Sequence, residues 1–119
     1  MRDDIGFLFN VRARINIAQL TESKAIGEVG SLFDGEEEKS IDNLYKVARI
    51  LNHEYELKKR IDQGKEVNLR ENYAVFTKDD ILEMDNVAFN EFSDKVFRTL
   101  RGERTVEATP KKGKAKPSK

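Results

Sequence analysis

His53 is the one histidine in 119 residues, and no cysteine accompanies it. Nucleophilic, redox and zinc chemistry lean heavily on these two residue types, so their scarcity bounds the function early. His53 sits within Asn52-His53-Glu54, in the middle of the strongest helical pattern of the chain. A single imidazole makes a metal site only if carboxylates converge on it from elsewhere, and nothing in the spacing promises that. A partly exposed helical histidine is the expectation. The run Glu36-Glu37-Glu38 is a second place where a cation could be held. Consecutive helical residues point in different directions, so these carboxylates suit a solvated first turn at the positive end of a helix dipole better than a ligand set. Asp79-Asp80 and Asp42-Asn43 read the same way. No phosphate-cradling glycine motif, nucleophile elbow or HExxH is present. The expectation is a protein that is not an enzyme, with no catalytic residue, no cofactor and no metal.

The aromatic and aliphatic residues pose the question of binding instead. Phe89, Phe92, Val96 and Leu100 fall at i, i+3, i+7 and i+11, with Phe97 widening the stripe, and are read as core. Phe7 and Phe9 are different. They precede any strong helix in a chain with few large apolar residues to cover them, so Phe7, Phe9 and Val11 are the candidate protein-binding residues.

The elements that would position these residues are mostly helical. Ile41, Leu44, Tyr45, Ala48, Leu51 and Tyr55 trace one face of a helix from about 36 to 63, with Asp34 as the expected N-cap and Gly64 as the stop. Thr77 caps a short helix to 83, and Asp85 caps a last one that ends at Gly102. A short helix is expected between 23 and 33, and residues 65–76 form a loop lying over the core through Leu69, Tyr73, Val75 and Phe76. In the N-terminal segment, Ile5, Phe7, Phe9, Val11, Ala13, Ile15 and Ile17 alternate as a half-buried strand would. Val11, Ile15 and Ala18 also mark a helical face. Since the chain offers little to pair with a strand, an extended stretch at 5–9 followed by helix at 10–20 is the favoured reading. The fold class is mostly α: a small helical domain over 1–103 with one long central helix and a short N-terminal strand. A disordered, basic Lys/Pro-rich tail follows over 104–119.

Charge is divided unevenly between those two parts. Lysines and arginines number 22 against 22 acids, but Lys111, Lys112, Lys114, Lys116 and Lys119 all lie in the tail, leaving a body of about −5. A basic face on the folded part is the usual mark of a nucleic-acid binder, so the acidic body argues against nucleic acid as a partner. No run approaches the roughly 20 apolar residues of a membrane span, and the acidic start does not read as a signal peptide. A cytoplasmic protein without a membrane is the expectation.

The order of these parts resembles the tail assembly chaperones of long-tailed bacteriophages and related prophages. The likeness rests on Phe7-Leu8-Phe9-Asn10-Val11-Arg12-Ala13-Arg14, a small-residue linker, and a long helix on Ile41–Ile61. It continues through Thr77-Lys78-Asp79-Asp80-Ile81-Leu82, a final amphipathic helix and a Lys/Ala/Pro-rich tail. The resemblance implies a protein of the bacterial host cytoplasm that binds the tape-measure protein and keeps its apolar helices soluble. It would surrender them as the tail-tube protein polymerises, and would form homo-oligomers along its client. It also implies a longer product made by ribosomal slippage, for which Pro110-Lys111-Lys112 is a compatible slip site. The competing reading is a small nucleic-acid-associated regulator whose lysine tail meets phosphates.

Overall fold

In the long 41–55 stripe, apolar side chains recur often enough to bury one whole face of a helix. The computed structural model, which describes residues 5–102 and 105–106, folds this stretch as a 26-residue helix, Glu37–Asp62. In chain order the elements are β1 (Phe7–Leu8), α1 (Val11–Ala18), a 3-10 segment (Ile26–Phe33), α2 (Glu37–Asp62), α3 (Lys78–Leu82), α4 (Asn86–Arg101) and β2 (Thr105–Val106). The protein is mostly helical, as its pattern predicts. Helix α2 is the hub, with β1, α1, the 3-10 segment, α3 and α4 all packed against it.

The start of α2 differs from expectation. Asp34 is not its N-cap; it closes the 3-10 segment in an extended conformation, and Gly35 reverses the chain at φ +93° before the helix begins from Glu36. Only after that left-handed turn can the backbone point along the helix axis. At the far end, Gly64 takes φ +76°, the expected stop. The other caps follow the sequence. Thr77 forms a reciprocal capping box with Asp80, and Asp85 Oδ1 accepts from the Ala88 N–H at 2.8 Å. Gly102 ends α4 at φ +141°. The expected helix between 23 and 33 is a 3-10 turn, and its period of three places Ile26, Val29 and Leu32 toward the core.

The core gathers Leu44, Val47, Ala48 and Leu51 of α2, Phe92 and Val96 of α4, Ile81 of α3, and Phe76 from the 65–76 loop. The rings meet edge to face, with centroids 5.7 Å apart for Phe7–Phe92 and 5.5 Å for Phe76–Phe92. Phe7 therefore corrects the expectation that it is a contact residue. Alternation along β1 turns Ile5 and Phe7 inward, where both are buried, and β2 pairs antiparallel with β1 in the register Phe7–Val106 and Leu8–Thr105. Thr105 and Val106, which the sequence reading places in the tail, are the residues of β2. Residues 107–119, with the expected slip site at Lys111-Lys112, lie outside the described residues. Leu69 is a further correction: it is exposed, because the turn at Asn68 lifts this part of the loop away from the core.

Candidate protein-binding surface

Three consecutive residues of α2 hold the N-terminal segment and the 65–76 loop in place. Asn52 is fully buried and divides its amide between two strangers in sequence: Nδ2 donates to the Gly6 carbonyl at 2.8 Å, and Oδ1 accepts from the Val75 N–H at 2.8 Å. Buried backbone groups of two irregular segments are thereby satisfied by one side chain. Next to that tie, Gly6 lies so close to the Tyr55 ring that any Cβ would strike it.

Glu54 is the second anchor. Its side chain is 1% exposed and takes a two-pronged hydrogen bond from Arg12, Nε to Oε2 at 2.8 Å and Nη2 to Oε1 at 3.0 Å. Asn10 Nδ2 donates to Oε1 at 2.9 Å, while Asn10 Oδ1 caps α1 through the Ala13 N–H. Burial pushes the Glu54 carboxyl up, but the hydrogen bonds from Arg12 and Asn10, with the nearby guanidinium charge, outweigh it and hold the group below the usual carboxylate range. The same hydrogen bond raises Arg12. Both carboxylate oxygens are committed, so the cluster works as a clamp on the start of α1.

His53 serves the opposite side. Its Nδ1 accepts from the Tyr73 N–H at 2.9 Å, and its ring stacks on Tyr73 at an interplanar angle of 6°. The Arg60 guanidinium also lies over the Tyr73 ring, 4.6 Å from its centroid. Burial holds the imidazole below its ordinary value, and the charges of Arg12 and Arg49 add to that against the pull of Glu54. His53 is an anchor for the 65–76 loop. Among the described residues no three His, Asp or Glu side chains group as a metal site would need, and no helix is long and apolar enough to cross a membrane.

Apolar side chains also stand exposed on the surface. On α1, Val11 is 71% exposed and Ile15 55% exposed, one helical turn apart on the outward face, while Ala13 and Ile17 are buried. A depression of about 180 Å³ lies where the start of α2 meets α3 and the start of α4, lined by Ile41, Ile81, Leu82, Met84 and Phe89 and by the polar Glu37 and Asn86. This is below the roughly 300 Å³ at which small-molecule sites begin. Leu82 and, five residues on, Val87 stand 57% and 68% exposed beside it. Exposed side chains of this size suit a partner helix.

Of the three residues expected to bind protein, Phe7 is core, Phe9 is partly buried against the core, and Val11 stands outward on α1. Sequence reasoning missed the depression because its residues serve two masters. Ile41 and Phe89 belong to the stripes read as core, and Ile81, Leu82 and Met84 lie in a short helix and its exit turn. The signal available was Leu82 beside Ile81, two apolar neighbours that a helix cannot bury on the same face. Compared with known proteins, the chain matches no protein family, no curated protein and no solved structure.

Proposed function

We propose that the protein is a tail assembly chaperone of a long-tailed phage or prophage. In this reading it binds apolar helical segments of the tape-measure protein and keeps them soluble until tail-tube subunits polymerise. The observation that supports this reading is the depression between α2, α3 and α4, where Ile41, Ile81, Met84 and Phe89 meet the polar Glu37 and Asn86, with Leu82 and Val87 exposed at its side. An amphipathic helix recognises such a groove through side chains one turn apart, and the small area keeps each contact weak enough to be released. The charged surface around it is what a holding protein needs to carry an apolar client in solution.

Co-expression with a tape-measure protein of a long-tailed phage is the test. The expected result is that the client moves from the insoluble to the soluble fraction with this protein and co-purifies with it, and that Leu82→Asp abolishes both. A client equally insoluble with and without the chaperone would overturn the proposal.

A further inference from the structure

The tie between His53 and the 65–76 loop is one that only a neutral imidazole can make. A backbone N–H can only donate, so Nδ1, 2.9 Å from the Tyr73 nitrogen, must be bare and the ring hydrogen must sit on Nε2. A proton added at Nδ1 would set two donors face to face and break the bond.

The charges around the ring offer an imidazolium little compensation. Arg12 of α1 and Arg49 of α2 both oppose it. Arg60 of α2 lies over the Tyr73 ring, which in turn stacks on His53. Glu54 pulls the other way, but its Oε2 is 3.9 Å from Nε2 and already bound to Arg12. Closed and protonated are therefore states in conflict.

The loop is built to yield at this point. From Lys65 to Asn72 every residue but Val67 is exposed, and the Asn68 N–H donates to the Tyr73 hydroxyl at 2.8 Å, so the stretch follows Tyr73. Two residues further on, the Val75 N–H is held by Asn52, a bond between groups that do not titrate. Arg60 Nε is buried with no hydrogen-bond partner among the described residues. Withdrawal of Tyr73 would return it to water and offset part of the cost of opening.

We infer that residues 65–73 are a proton-released strap: protonation of His53 detaches Tyr73 from α2, while the Asn52–Val75 tie and the helical body stay in place. Opening takes up a proton, because the closed fold holds the ring below its ordinary value and the open strap frees it. The open form gains as pH falls below about 6.5, by up to ~10-fold per pH unit, and levels off below the lowered value of the closed ring. None of this depends on what the protein binds.

Amide hydrogen exchange followed by NMR on the full chain tests this between about pH 7.5 and 5.5. Corrected for the intrinsic pH dependence of exchange, protection of the Tyr73 amide should fall by up to ~10-fold per pH unit below about 6.5. At about pH 5.5 it should be at least ~10-fold less protected than Val75, Leu51 in α2 and Val96 in α4, the mark of local opening. His53→Gln, whose side-chain carbonyl can accept from Tyr73 but takes up no proton in this range, should make Tyr73 protection independent of pH. If that variant loses helical circular dichroism, the imidazole nitrogen signals of the wild type decide in its place and must show Nδ1 unprotonated at the higher pH. Tyr73 protection that does not fall with pH, that falls as much in folded His53→Gln, or that merely equals that of Leu51 and Val96 overturns the inference, as does a hydrogen on Nδ1.

Discussion

At the scale of single residues, the least expected finding is what Asn52, His53 and Glu54 do. Read along the chain they invite a search for a metal; in the fold they are three anchors facing three segments. Their partners lie 20 to 46 residues away, and no local pattern encodes such pairings. Arg12→Ala tests the clamp. It leaves the buried Glu54 carboxylate without its two-pronged partner, and should cost about 1–3 kcal/mol in a urea melt. That is below the cost for a fully buried pair, because the Arg12 side chain is half exposed. His53 predicts a pH dependence. Its value is lowered in the fold, so the unfolded chain takes up a proton first, near pH 6.5. Stability from this residue is therefore fully present above that pH and declines as pH falls toward the lower folded value. The urea midpoint should drop between about pH 7.5 and 5.5, above the usual carboxylate range, and drop less in His53→Ala.

At the scale of elements, the helices were legible where the signal is local. The Thr77 and Asp85 caps, the Gly64 and Gly102 stops and the α2 stripe all stand where their residue types require. Asp34 misled because a good capping residue was followed by a glycine whose left-handed turn moved the helix start onward. The burial of Phe7 was invisible for a different reason: its strand partner sits about a hundred residues away, in a segment whose composition reads as tail. Two truncations separate these effects. Cutting after Val106 should leave the thermal midpoint unchanged, since residues 107–119 hold no large apolar side chain. Cutting after Arg104 removes β2 from β1 and should lower the midpoint by several degrees, about 1 kcal/mol. Equal midpoints for the two would remove β2 from any role in stability.

At the scale of the whole molecule, apolar side chains are exposed at both ends of α2: the α1 face beside Glu54 and the groove beside Ile41. The sequence allows such faces to be suspected from Val11 but not placed, because whether Leu82 or Ile41 is covered depends on how three helices converge. The central claim is that the groove holds an apolar helix of the tape-measure protein. The chain contains no tryptophan, so a tape-measure helix carrying one tryptophan reports binding against a silent background. A fluorescence titration should show saturable binding to the wild type, weakened at least ~10-fold in Leu82→Asp, or about 1.4 kcal/mol. No binding to the wild type, or equal affinity for the folded variant, would contradict the claim.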